Sequence, residues 1–99
     1  MIGFSARLVV RPERAEEFEK LQIELRELTY ANEPGTPFYE VVKAAGDEAT
    51  YMCIATFKDQ AAFDFHMQTD FHDRIAPKIL DCLAEEMDLT MFDVVGRDA

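Results

Sequence analysis

Phe57-Lys58-Asp59-Gln60-Ala61-Ala62-Phe63-Asp64-Phe65-His66-Met67-Gln68-Thr69-Asp70-Phe71-His72 is the stretch in which an apolar strand becomes a helix. Lys58-Asp59 is the turn. Asp59 suits an N-cap, because its carboxylate can accept a hydrogen bond from a free N–H of the first helical turn. From there Ala62, Phe63, His66 and Met67 fall on one helix face. Both histidines of the chain lie in this stretch. A histidine on the apolar face of a helix is the main oddity of the sequence.

Outward from it, the pattern is regular. Upstream, Tyr51-Met52-Cys53-Ile54-Ala55-Thr56-Phe57 is almost wholly apolar and reads as a strand from Thr50 covered on both faces. Ala44-Ala45-Gly46-Asp47-Glu48 is a hairpin loop joining it antiparallel to a strand over Thr36 to Lys43. At the start, Ile2, Phe4, Ala6, Leu8 and Val10 alternate with Gly3, Ser5, Arg7 and Val9, the period of a strand facing the core with its first set. A helix follows over about Pro12 to Ala31. Ala15, Phe18, Leu21, Gln22, Leu25, Leu28 and Thr29 line one side of it, and acidic residues crowd the other. Asn32-Glu33-Pro34-Gly35 reads as its terminating turn. After His72 the spacing predicts a second helical piece over Ile75 to Glu86, with Pro77 in its first turn. A last strand, apolar on both faces, spans Leu89 to Val95. The order β-α-β-β-α-β is a ferredoxin-like α+β sandwich, with residues 1–99 as one domain. Strands three and four are too apolar for an exposed outer sheet face, which implies a homodimer whose sheets cover each other.

Composition narrows the partners. The chain is 48% hydrophobic and 11% aromatic, enough for a core. Its net charge of −10 opposes binding to nucleic acid, which needs a basic footprint, and to anionic membranes. No apolar run reaches the roughly 18 residues of a membrane span, and Met1 to Arg7 lacks the pattern of a signal peptide. Cys53 and Cys82 make no disulfide scaffold. Buried free thiols in a reducing cytoplasm are the expectation.

With these residues in view, the chain resembles the antibiotic-biosynthesis-type monooxygenases of the dimeric α/β-barrel group. The resemblance covers nearly the whole chain. Its carriers are Val9-Val10-Arg11-Pro12, Glu33-Pro34-Gly35 with Tyr39 four residues after the glycine, and Phe57 to Phe63 leading to His66 and His72. It implies a homodimer with a pocket in each subunit, between helices and sheet. It also implies oxidation of a small phenolic, quinol or polyketide-like aromatic by dioxygen, without metal or flavin. Other relatives degrade haem, isomerise lactones or have no known reaction. Ala55 stands where relatives often have Glu, and Phe57 where many have Trp. Ala6 and His66 stand where the haem-degrading branch has Asn and Trp, which disfavours haem degradation.

His66 is the candidate catalytic base, since an imidazole exchanges protons near neutral pH. Phe4, Ala6, Tyr39, Tyr51, Met67 and His72 are the candidate substrate-binding residues, the aromatics by stacking on a flat ligand. The bland readings are a core histidine for His66, a cap or subunit contact for His72 and ordinary packing for the tyrosines. A metal held by His66, Asp70 and His72 is not expected, because His72 is rotated off the face the other two share. Arg7 either pairs across the dimer or sits in solvent. The alternatives to oxygenation are a non-oxidative binding protein or isomerase on the same fold, and a dimerisation module without a ligand.

Overall fold

A computed structural model describes residues 1–98. The elements are β1 (Ile2–Val9), a 3-10 turn (Pro12–Arg14), α1 (Ala15–Asn32), β2 (Phe38–Lys43), β3 (Thr50–Phe57), α2 (Gln60–Gln68), α3 (Asp70–Asp81) and β4 (Asp88–Asp93). The four strands form one antiparallel sheet in the order β2-β3-β1-β4. The fold is the ferredoxin-like α+β arrangement, with the second helix of that pattern broken into α2 and α3.

Register decides what faces the helices. Phe4 lies opposite Ala55 and Met91, and Ala6 opposite Cys53 and Leu89. Leu8 lies opposite Tyr51, and Tyr39 opposite Ala55. Phe4, Ala6, Leu8, Tyr39, Tyr51, Cys53, Ala55 and Phe57 are all buried on this inner face. Helix α1 meets it with Phe18, Gln22, Leu25 and Thr29, the stripe its spacing predicts. The opposite sheet face has no cover within the chain. Phe38, Val42, Ile54 and Phe92 are exposed there, so β3 is covered on one face only. Arg7 points to the same side, exposed, with Glu85 3.6 Å away.

Several boundaries differ from those read in the sequence. Strand β2 starts at Phe38 rather than Thr36. The Thr36 hydroxyl donates instead to Glu33 at 3.0 Å, and Pro37 has no N–H to give a ladder. Helix α3 covers Asp70–Asp81, not Ile75 to Glu86. Thr69 starts it early, because its hydroxyl accepts the His72 N–H at 3.2 Å. The helix stops early because the chain beyond it pairs with the end of β1. Arg11 N–H donates to the Cys82 carbonyl at 2.9 Å, and Ala84 N–H to that of Val9 at 2.7 Å. Pro77 therefore sits inside α3 rather than in its first turn. It removes one hydrogen bond there, and the rest of the amphipathic helix packs over it, burying Ile75 and Ile79. Strand β4 runs Asp88–Asp93 and is exposed throughout.

Thr69 closes α2 and opens α3. Its hydroxyl also donates to the His66 carbonyl at 3.2 Å. Thr69→Ala should cost about 1 kcal/mol of stability, read as a lower urea midpoint at unchanged m-value. An unchanged midpoint would remove Thr69 from this role.

Candidate active site

Helix α2 begins where Asp59 accepts the Ala62 N–H at 2.9 Å. This cap sets the rotation of the helix, and the rotation sends His66 inward, 1% exposed. Gly35 makes the approach possible. A Cβ there would lie 2.7 Å from the Ala62 Cβ, so only glycine lets α2 pack this closely on the turn after α1.

That turn carries Glu33. Its N–H still donates to the Thr29 carbonyl at 2.9 Å, which ends α1. The residue is 2% exposed. His66 Nδ1 lies 2.9 Å from Glu33 Oε1 and 3.0 Å from Oε2. With the carboxylate acting as acceptor, the hydrogen belongs on Nδ1. In the neutral ring Nε2 is then an acceptor, and it has no protein partner among the described residues. The imidazole is wedged between aromatic rings, its centroid 5.5 Å from Tyr39 and 5.4 Å from Phe57. His72, from the first turn of α3, stands edge-on at 4.9 Å.

The ring walls a cavity of about 190 Å3 between the helices and the inner sheet face. Phe4, Ala6, Tyr39, His66, Met67 and His72 all line it. The structure therefore brings six of the seven residues singled out in the sequence to one cavity. Tyr51 is the exception. It faces a separate surface groove, where its hydroxyl donates to Glu19. The register explains this: Tyr51 pairs with Leu8, two pairs along from Ala6 and Cys53, and Phe18 packs on its ring at 4.6 Å. Asp70 does not line the cavity, and among the described residues no cluster could hold a metal ion.

Besides apolar lining residues, sequence reasoning missed three members that carry polar or ionisable groups. Gln22 and Cys53 line the cavity, and Glu33 backs His66. The signal for Glu33 was present in part: an inward histidine requires a partner for Nδ1, and an acidic residue sat where α1 meets Pro-Gly.

The lining is mostly apolar, so the proton chemistry is confined to few groups. Burial raises the Tyr39 phenol well above its usual range, with the Cys53 thiol against it. Burial likewise pushes Cys53 up to about 11. Both stay protonated near neutral pH and are poor bases or nucleophiles there. His72 is lowered, first by burial and then by the neighbouring His66. The arrangement suits removal of a proton from a bound hydroxyl, inside a largely apolar space with several aromatic walls.

Comparison with known proteins accords with this geometry. The family model for "Antibiotic biosynthesis monooxygenase" matches residues 1–78. The chain belongs to the antibiotic biosynthesis monooxygenase family. It is 30% identical over 89 residues to the "Putative monooxygenase YcnE" of Bacillus subtilis (strain 168), covering 90% of this chain and 93% of that one. A crystal structure of a putative antibiotic biosynthesis monooxygenase from Caulobacter crescentus CB15 superposes with a TM-score of 0.90 at 29% identity, covering 95% of this chain and 89% of the other. SnoaB from Streptomyces nogalater, a cofactor-independent oxygenase solved as a point mutant, matches with a TM-score of 0.80 at 19% identity, covering 95% and 92%; that is a likeness of fold alone. This family member carries no helix long and apolar enough to cross a membrane among the described residues.

The His72 shift has a consequence for stability. Its folded value lies below the ordinary 6.5. Between the two the unfolded chain binds more protons, so stability rises with pH. The contribution is present above about 6.5 and is lost as the pH falls through the folded value. Asp73 and Glu33 oppose the shift without reversing it. His72→Phe should therefore lose less melting temperature than wild type between about pH 7.5 and about pH 5.5. Equal losses would show that His72 is not held neutral by the fold.

Proposed function

We propose that this protein oxidises a compact phenol or quinol with dioxygen, with His66 as the base and no metal or flavin required. The observation that carries the reading is the Glu33–His66 pair in the wall of an apolar, aromatic-lined cavity. The size of the space supports a small substrate. At about 190 Å3 it lies below the roughly 300 Å3 at which pockets for drug-sized ligands begin, so one or two fused rings fit the reading best.

The chemistry follows from the pair. His66 Nε2 takes the proton of a bound hydroxyl, and Glu33 stabilises the imidazolium that forms. The phenolate gives one electron to dioxygen, leaving superoxide and an aryloxyl radical. These combine through a new carbon–oxygen bond, and the proton held by His66 returns to the outer oxygen. The hydroperoxide then loses water as its O–O bond breaks and a ring-carbon proton leaves. For a hydroquinone the balance is substrate plus dioxygen to hydroxyquinone plus water. The four electrons taken by dioxygen all come from the substrate.

The same reading includes a homodimer. Phe38, Val42, Ile54 and Phe92 form an apolar outer sheet face that a monomer would leave wet. A second copy covers it by presenting the same face.

Oxygen uptake with hydroquinones and naphthols, on metal-stripped protein, tests the reaction. His66→Ala should lower the rate by roughly 100- to 10,000-fold, and Glu33→Gln should fall between mutant and wild type. Wild-type uptake no faster than autoxidation overturns the oxygen chemistry, and uptake unchanged by His66→Ala overturns the base. Independently, Ile54→Lys should convert a dimer to a monomer in light scattering. A monomeric wild type would overturn the pairing.

A further inference from the structure

We propose that the Gln22 side-chain amide is a second anchor of this cavity, binding a ligand oxygen other than the hydroxyl at His66. The site would thereby select aromatics that carry two oxygens. The inference rests on the aromatic-ligand reading above and adds a determinant of specificity to it.

Gln22 is 5% exposed, and its Oε1 has no hydrogen-bond partner among the described residues. Buried polar atoms are rarely left in this state, and each exception calls for an explanation. Most of the residues that line the cavity with it, among them Ala6, Leu8 and Leu25, have no side-chain hydrogen-bonding group to offer. On its other side Gln22 borders the groove that holds Tyr51. There the polar groups are already engaged with one another: Tyr51 and Lys43 with Glu19, and Arg26 with Glu27 and Glu40. An apolar residue would fill the same stripe of α1 at no such cost. The amide is therefore matched to something the cavity receives.

Placement gives it a direction. Glu33, at the C-terminal cap of α1, follows Gln22 by eleven residues. That is about three turns of helix, so the two Cα positions lie on the same side of α1. His66 stands over Glu33. The amide and the imidazole both line one apolar cavity and reach it from different helices, α1 and α2. A carboxamide also suits a ligand that changes oxidation state. Its C=O accepts from a quinol hydroxyl, and its N–H donates to a quinone carbonyl.

Anaerobic calorimetry on the full chain tests this with two probes, 1,4-dihydroxynaphthalene and 1-naphthol, which lacks the second oxygen. Gln22→Met keeps the length of the side chain without its hydrogen-bonding atoms. It should weaken the diol roughly tenfold and the naphthol far less. Gln22→Leu carries the same expectation should the methionine variant fold poorly. If both probes bind wild type and the variants weaken them equally or not at all, the anchor is overturned and the aromatic cavity stands. If neither probe binds wild type, the aromatic reading falls and the anchor with it.

Discussion

The contact between Glu33 and His66 ties together the end of α1, the start of β2 and the face of α2. Nearly everything about the site depends on it. A carboxylate on a residue 2% exposed can be kept only if its oxygens are occupied. His66 and Thr36 occupy them. Leaving such an acceptor unpaired costs roughly 1–3 kcal/mol or more. The contact therefore orients the imidazole as firmly as it satisfies the acid. It also dictates local sequence. Thr36 leaves the strand to reach Glu33, and Gly35 must lack a Cβ for α2 to come close enough.

Around this pair the core is divided rather than uniform. At one end Phe4, Phe57 and Phe63 pack on one another, with the Phe57 ring 5.8 Å from Phe4 and 5.2 Å from Phe63. At the other, Phe18 lies on Tyr51 at 4.6 Å. Between them the central cross-strand pair is Ala6 with Cys53, two small side chains. Small residues at the middle of the inner face leave the cavity unfilled. An empty apolar space in a core costs stability in proportion to its volume. The pattern of large, small, large along the sheet thus leaves one chamber between two packed walls, the space the proposed function assigns to the ligand.

Strand β1 was legible because a period of two, with one buried face, has a single consistent reading, and β3 because its apolar run is bounded by turn residues. Strand β3 matches its expected limits of Thr50 to Phe57. The stripe on α1 was legible for the same reason at a period of 3.6. The break at α2 and α3 was placed only approximately. Thr69 had to outcompete the later residues as a cap, and the end of α3 depends on Arg11 and Val9, far upstream in the chain. Pro77 misled because a proline often marks a first turn, whereas here packing of Ile75 and Ile79 overrides the lost hydrogen bond. Tyr51 shares the inner face with Tyr39, yet its place two residues before Cys53, against the Phe18 ring, puts it in another compartment. Glu33 was read as a turn residue because its role is set by a histidine 33 positions away.

The pairing of a carboxylate with a histidine also resolves a difficulty of the proposed chemistry. A phenolate formed in an apolar cavity is an uncompensated charge unless the proton it loses stays close. With Glu33 behind His66, proton transfer turns a carboxylate, a neutral imidazole and a phenol into a carboxylate, an imidazolium and a phenolate. The net charge of the cavity does not change, and the new cation lies between two anions. Tyr39 and Cys53, held protonated by burial, can then donate hydrogen bonds without competing for the proton. A lone acidic base would instead surrender its charge to the ligand, with no cation left beside the phenolate. In the proposed reaction the electron would pass to dioxygen from a site whose charge is already balanced, which is the condition a small, apolar cavity imposes.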